Sequence, residues 1–521
     1  MKNKIINIPI VILVLIAGVF IGIKIEDFLE KEITDHQEYK FNEVLSITSN
    51  YYVDKVNPKE LVESAIEGMF DELDPHTTYF SMEEQKSSQE SFRGEFEGIG
   101  IEFQIIKDTI TVVSPITGGP SDRVGILAGD KIIQIEEKSC IGFSNKDVIK
   151  SLRGEKGSKV NLTIYRPVNH RELNFEIERD KIPIYSVDAS FVYHDSIGYL
   201  SLSRFAETTT DELIKNMDEL KSKGMKKIIL DLRNNPGGLL SQAVSVADLF
   251  LDENKLVVYT EGRLSRFDEQ YHSSKTYKYE DYPLVVLINH GSASASEIVA
   301  GAVQDWDRGW IVGENSFGKG LVQRPFLLDD NSAIRLTVSR YFTPSGRAIQ
   351  RDYSNGKGEY YSSIYNDSLS NKPDSSKKQY LTNAGRIVFS NGGISPDSTV
   401  KLKEVTDYSI ELSRNNIYFQ FIRNYLDKYK DDITEQYGDD LIRFNKEFTI
   451  EKDINDFTKY AEENNVPFNK TDFNKDKKYI LKRLKAYIAR ELWGNSGWYY
   501  NLLEEDIQFQ TAIGLLEKPI Q

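Results

Sequence analysis

Between Ile197 and Gly313 short apolar runs alternate with amphipathic ones, and this alternation limits the fold more than any other feature of the chain. The run "IGYLSLSRF" precedes "TDELIKNMDELKSKG", "KKIILDLR" precedes "LLSQAVSVADLFL", and "LVVLIN" precedes "SASEIVAGAVQDW", after which "GWIVGE" follows. Apolar strands alternating with helices predict an α/β domain built on a largely parallel sheet with right-handed crossovers. In such sheets chemistry collects past the carboxyl ends of the strands, so the segments that leave those ends are where functional residues are sought.

The chain has 521 residues, too many for one core, and the texture changes on both sides of the α/β segment. From about Ile25 to Gln89 the pattern is polar and helical. From Phe92 to about Asp180 short β-rich runs split by glycines predict a compact module, interrupted by the helical stretch "NKDVIKSLRG". Residues 352 to about 385 are rich in Ser, Asn, Lys and Tyr and read as a surface insertion, and beyond about Val405 the chain is helical again. The net charge of −15 argues against general nucleic-acid binding, which requires a basic face. At the N-terminus Ile6 to Ile23 carries no charge, follows Lys2 and Lys4, and precedes Glu26, Asp27 and Glu30. That length suits a spanning helix with the following domains outside the cytoplasm, and no small-x-small cleavage site is evident. The lone Cys140 reads as a small apolar residue on a strand, so the fold does not rely on internal disulfides.

The stretch "GENSFGKG", residues 313 to 320, admits three chemistries. A phosphate loop needs Ser or Thr after its lysine, and Gly320 follows Lys319 instead. A Ser-x-x-Lys acyl enzyme needs Ser316 and Lys319 on one helical face, which glycines at 313, 318 and 320 oppose. The third reading makes Lys319 a base for a nucleophile elsewhere. Ser294 offers itself at a strand-to-helix junction, where the amide of Ala295 and the positive end of the following helix favour a developing oxyanion. The same residues, Ser294-Ala-Ser-Glu297, also fit a plain capping box. A second junction, "LDLRNNPGGLL", adds unobstructed backbone N–H groups at Gly237 and Gly238, although a tight turn after Pro236 explains these glycines equally well. None of the six histidines makes a convincing base, with His290 too close along the chain to face Ser294, and no metal-ligand spacing is present.

Taken together, "SASASEIVAGAVQD", "GENSFGKGLVQ", "LDLRNNPGG", "TPSGRAIQ", "GGISPD", "LDPHTTYF" and "GEFEGIGIEF" resemble the carboxyl-terminal processing peptidases, or tail-specific proteases, over roughly residues 40 to 400. The resemblance implies a serine endopeptidase with Ser294 as nucleophile, Lys319 as base, Gln323 orienting the lysine, and an oxyanion hole from Ala295 with Gly237 or Gly238. It implies no cofactor and no metal. A lysine acts as base only when neutral, so its setting must bring its pKa from about 10.4 to roughly 7 to 9. His290 departs from the family's usual residue at its position, which bears on the local turn. The resemblance also implies a PDZ-like module whose backbone at Gly98, Ile99, Gly100 and Ile101 receives a substrate's terminal carboxylate while the peptide adds as a strand. A β-bulge is the plainer account of those glycines.

The resulting expectation is a cytoplasmic stub and membrane anchor at 1–24, a helical region at 25–91, a PDZ-like module at 92–182, and a crotonase or ClpP-like α/β protease core at 183–404. A helical region at 405–521 closes the chain. Expected partners are polypeptides with accessible C-termini and a membrane, with the periplasmic side of a bacterial inner membrane as the location and self-association left open. Two rivals stand beside this reading: an inactive membrane-anchored PDZ scaffold or chaperone, and an amidase acting on cell-wall material.

Overall fold

The computed structural model describes residues 36–194, 196–274, 279–369 and 378–518. The apolar stretch Ile6–Ile23 lies outside them, and no described helix is long and apolar enough to cross a membrane. Two compact units meet between Tyr79 and Phe80. In the first, residues 36–51 and Pro58–Asp71 are helical, the second helix starting at Asn57, whose side chain accepts the Lys59 N–H. The buried Asp74 of "LDPHTTYF" folds that motif on itself, taking the N–H groups of His76 and Thr77 and the Thr77 hydroxyl at 2.6 to 3.0 Å.

The second unit opens with helix α1 (Met82–Arg93), framed by a capping box between Ser81 and Glu84. Then comes the β-rich module: β1 (Ile101–Ile106), β2 (Thr109–Pro115), β3 (Lys131–Ile135), helix α2 (Asn145–Leu152), β4 (Lys159–Arg166) and β5 (Arg171–Glu178). The strands pair antiparallel in the order β1-β2-β3-β4-β5, which leaves β1 at an edge. Alternate residues of β4, Val160, Leu162 and Ile164, are buried together with Val148 and Leu152 of α2. Cys140 joins them, giving its Sγ–H to Ile132 O at 3.2 Å, and burial pushes its thiol up to about 11.

The α/β alternation forms the expected sheet. β6 (Val187–Tyr193) runs antiparallel to β7 (Ile197–Leu202), which leads by way of α3 (Thr209–Ser222) to β8 (Lys227–Asp231). Helix α4 (Leu240–Asp248) and β9 (Leu256–Gly262) come next, then β10 (Leu284–Ile288), α5 (Ala295–Asp305) and β11 (Trp310–Gly313). β7, β8, β10 and β11 are parallel and in register, so Leu200, Leu230, Val286 and Ile311 stack in one buried row. That row faces α3, α4 and α5. β9 belongs to a second, antiparallel sheet with β12 (Leu321–Leu327) and β13 (Ala333–Phe342), in which β13 lies between β9 and β12.

The C-terminal helical region, whose role the sequence left open, and the stretch read as a surface insertion both contribute to the core. The other face of the parallel sheet, with Tyr199, Ile229, Val285 and Leu287, is covered by Tyr500 and Leu503 of α6 (Lys470–Leu503) and by Phe509 and Ala512 of α7 (Ile507–Leu515). The end of the C-terminal helical region is therefore part of the core and not an appendage, because a parallel sheet apolar on both faces has to be covered on both. Within the stretch read as a surface insertion, Tyr360 and Ile364 are buried, and the Tyr360 ring meets Phe317 edge-on at 6.0 Å. Tyrosine-rich sequence looks polar, but a tyrosine ring carries enough apolar area to be a core residue.

The motif "TPSGRAIQ" is held by a fully buried ion pair. Arg347 reaches Asp305 Oδ1 at 2.7 Å and Gln304 Oε1 at 2.6 Å, with neither charged side chain more than 1% exposed. Asp305→Ala strands the guanidinium without its counter-charge and is expected to cost about 3 to 5 kcal/mol, whereas pairing it with Arg347→Met recovers most of the loss. The midpoint of urea denaturation for the single and double variants measures both.

Candidate active site

The segments leaving β8 and β10 are laced to each other by asparagines. Asn289 Oδ1 accepts the N–H groups of Asn234 (2.8 Å) and Gly291 (3.0 Å), while its Nδ2 donates to Asn234 Oδ1 at 2.9 Å. The backbone oxygen of Asn235 takes the Ala293 N–H at 3.0 Å and the Ser296 hydroxyl at 2.9 Å. Both glycine-rich junctions thus form one rigid floor at the carboxyl edge of the parallel sheet. Beneath it, the largely buried Arg233 binds Asp231 and also Asp506 (2.6 Å) and Gln508 (2.9 Å), fastening the start of α7 to the base of the first junction.

Ser294 sits at the head of α5 with φ 55° and ψ −111°, a left-handed conformation that costs a non-glycine residue on the order of 1 to 3 kcal/mol. One half of the expected capping box carries a hydrogen bond: Glu297 Oε2 accepts the Ser294 N–H at 2.8 Å, while the Glu297 N–H goes to the Ser294 backbone oxygen at 2.9 Å. That glutamate does more than cap. Fully buried, it also accepts the Ser316 hydroxyl (2.6 Å), the Gly318 N–H (2.7 Å) and the Lys319 N–H (2.9 Å). Burial pushes its pKa up, and these donors pull it back. One carboxylate therefore joins the helix that presents Ser294 to the turn that presents Lys319.

"GENSFGKG" is a turn running from β11 to β12, with no helix in it. Ser316 is buried, its hydroxyl donating to Glu297 and accepting the Ile394 N–H of "GGISPD" at 2.6 Å, so it is a structural brace. Lys319 Nζ donates to Gln323 Oε1 at 2.9 Å. Around the turn Leu321 is buried and Phe317 and Val322 are half-buried. Gln350 Oε1 takes the Gly320 N–H at 2.8 Å, which connects the Arg347 anchor to the lysine turn.

Ser294, Lys319, Gln323, Gly237 and Gly238 line one cleft of about 720 Å³. Ala295 is the first residue of α5, so its N–H has no acceptor within the helix. The two glycines differ. Gly237 gives its N–H to Asn235 Oδ1 at 2.9 Å, which removes it from the expected pair of oxyanion donors. Around Gly238 the bridge to Phe205 uses the oxygen of Gly237 and the N–H of Leu239, turning the Gly238 N–H to the other side. Both positions must be glycine: a Cβ on Gly237 would lie 2.7 Å from Ala293 O, and one on Gly238 2.1 Å from Phe205 O. His290 turns to Glu314, its Nδ1 lying 3.4 Å from Oε2.

In the β-rich module Gly98 ends a short strand paired with Asp180–Pro183, Ile99 is buried, and Gly100 has φ 72°. The Ile99 oxygen accepts the Ser121 N–H (3.0 Å) and hydroxyl (2.7 Å), and Ile101 opens the edge strand β1. The Ile99 side chain belongs to the module's core, so only its backbone is available to a ligand. Sequence reasoning missed the wider reach of Glu297 and the asparagine lacing. The capping-box spacing was the available signal for the first, and the paired "NN" and "NH" after two strands for the second.

Comparison with known proteins gives a consistent result. Profiles described as "Peptidase family S41", "PDZ domain" and "Activating protease CtpB N-terminal domain" match residues 196–355, 98–178 and 24–107. A fourth, a family of unknown function, matches residues 408–494. A carboxy-terminal-processing protease of Bartonella bacilliformis is 40% identical over 349 residues, 64% of this chain and 79% of that one. Carboxy-terminal processing protease CtpA of Bacillus subtilis is 39% identical over 306 residues, 58% of this chain and 65% of its own length. Among solved structures the photosystem II D1 C-terminal processing protease aligns with 27% identity and a TM-score of 0.35, covering 69% of this chain and 92% of that one.

Because Glu297 faces only donors, an amide cannot replace it: the NH₂ of Glu297→Gln would point at an N–H or hydroxyl. Both Glu297→Gln and Glu297→Ala are expected to lower kcat/KM on the order of 10²-fold or more by displacing the lysine turn, with secondary structure kept. Ser316→Ala, which removes one of the four donors, is expected to lose less. Steady-state peptide hydrolysis alongside far-UV circular dichroism checks the order.

Proposed function

The chain belongs to the carboxy-terminal-processing serine peptidases of family S41, and from that premise we propose that Ser294 is its nucleophile and Lys319 its general base. The observation that carries this is the Lys319 amine held on Gln323 Oε1 at 2.9 Å in the cleft that Ser294 lines, with both backbones tied to one buried carboxylate. Neutral Lys319 takes the Ser294 proton as Oγ attacks the scissile carbonyl carbon. The N–H groups of Ala295 and Gly238 hold the oxyanion, and the lysine then protonates the departing amine. Water, activated by the same lysine, hydrolyses the acyl-enzyme and restores Ser294.

The enzyme carries a PDZ domain and acts on polypeptides. The proposal extends this to selection by the free C-terminus: the terminal carboxylate at the backbone of Gly98 to Ile101, the peptide added to the open edge of β1. The sheet order and the positive φ of Gly100 support that reading. The charge pattern around Ile6–Ile23 supports a membrane anchor with the catalytic part on the extracytoplasmic side, periplasmic in a bacterium with an outer membrane. The domain limits at 24, 91, 182 and 404 belong to the same proposal, as does any self-association.

Ser294→Ala is expected to abolish turnover and to leave stability near that of the wild type, because the Glu297 N–H bonds to the Ser294 backbone oxygen and not to its hydroxyl. Lys319→Arg keeps a proton that does not leave near neutral pH and is expected to be as inactive as Lys319→Ala. In the wild type kcat/KM rises with pH as the lysine deprotonates, on a limb governed by a single proton. Appreciable turnover by Lys319→Arg contradicts the dyad. Amidating a substrate's C-terminus is expected to raise KM, and equal cleavage of amide and free acid contradicts carboxylate capture.

A further inference from the structure

The catalytic cleft contains two cations that acyl transfer does not use. Arg335 of β13 pairs with Pro325 of β12, and Thr337 pairs with Gln323. Residues two apart on a strand share a face, so Arg335 lies about 7 Å along the sheet from the position that holds the lysine. Arg335, Gln323 and Ser294 line the same cleft. The guanidinium is half-buried over the rings of Phe80 (4.5 Å) and Phe92 (5.3 Å) and donates to Ser88 Oγ at 2.6 Å. Arg204, just past the end of β7, lines the cleft as well, and its buried Nε has no hydrogen-bond partner. Arg335 makes no ion pair among the described residues, and Arg204, which makes none at salt-bridge distance either, feels the carboxylate of Asp188. Burial alone draws the Arg335 pKa below the ordinary arginine range, with no neighbouring carboxylate to oppose it.

A cation held partly out of water without a counter-charge is unfavourable by itself and becomes favourable when an anion arrives. The fork of a guanidinium suits a carboxylate, and aromatic faces fix its plane. We infer that Arg335, with Arg204 on the same cleft, forms a subsite that reads a carboxylate of the bound polypeptide within a few positions of the scissile bond. The carboxylate has two sources, an acidic side chain within the substrate or the terminal carboxylate of a polypeptide cut near its end. The inference rests on Ser294 and Lys319 as the place of cleavage.

The experiment uses the full chain and a peptide series in which Gln is replaced by Glu at each of three positions on either side of a known cleavage site. A parallel pair ends in free acid or amide three residues after that site. At one position Glu is expected to raise kcat/KM on the order of tenfold over Gln, mainly through KM, and Arg335→Gln is expected to bring that ratio to about one. Arg335→Glu is expected to reverse it in favour of Lys. A preference in the acid and amide pair alone, abolished by Arg335→Gln, assigns the terminal carboxylate as the source. Equal cleavage of Glu and Gln peptides at every position, with no acid and amide difference, overturns the subsite. So does an Arg335→Gln enzyme that loses activity on all substrates in proportion, the mark of a bracing role between Phe80, Phe92 and Ser88. Ser294→Ala run on the same peptides tests the dyad separately, since persisting cleavage there refutes the nucleophile whatever the ratios show.

Discussion

One buried carboxylate carries the geometry on which the rest of this active site depends. Glu297 lies at the start of α5 without exposure to water and takes four hydrogen bonds, one from Ser294 and three from the turn that presents Lys319. An ionised carboxylate in that position is stable only if fully satisfied, so the two segments have to stand in a fixed relation. Reactive groups on separate loops would otherwise drift by an ångström or more, enough to remove much of the advantage of orientation.

The same logic repeats one layer below. Asn234, Asn235 and Asn289 exchange side-chain and backbone hydrogen bonds, so the loops after β8 and β10 behave as one piece. Gly237 and Gly238 have no room for a Cβ because that piece is close-packed. Arg233 extends the fastening to Asp506 at the start of α7. The C-terminal helices thus cover the second face of the central sheet and brace the floor of the cleft. The segment α6 breaks at Trp493 and Gly494: before the break Arg490 reaches Glu102 on β1 at 2.8 Å, and after it Tyr500 and Leu503 cover the sheet.

The α/β core was legible because strand and helix periods alternate along it, broken only between α4 and β10 where β9 leaves for the second sheet, and the β-rich module because glycines bound its runs. The junction offered Ser294 and the glycine-rich turn offered Lys319 as candidates, the resemblance paired them and added Gln323, and all three line one cleft. What stayed hidden depended on pairings across long sequence separations. Nothing local in "SASE" says that Glu297 binds residues 316 to 319, and nothing in "DIQFQ" says that it closes the core against β7 and β10. The choice between Gly237 and Gly238 turned on the Asn235 side chain, whose direction is a tertiary fact. Tyr360 was misread for a compositional reason, since its neighbours are polar while its ring is not.

A lysine base imposes a demand that an imidazole base does not, namely that a group normally charged be kept able to lose its proton. An acidic neighbour would stabilise the ammonium and defeat this. On the proposed reading of Lys319 as the base, its amine donates to an amide oxygen, on Gln323, while the carboxylate of Glu297 is taken by other donors. Glu297 touches Lys319 through its backbone N–H, fixing where the side chain begins while its oxygens are already engaged. The Lys319 backbone is therefore fixed by a carboxylate and its amine by a neutral amide. The separation explains why glutamate at 297 and glutamine at 323 are not interchangeable: exchanging them would pair the ammonium with a carboxylate and leave four donors facing an amide.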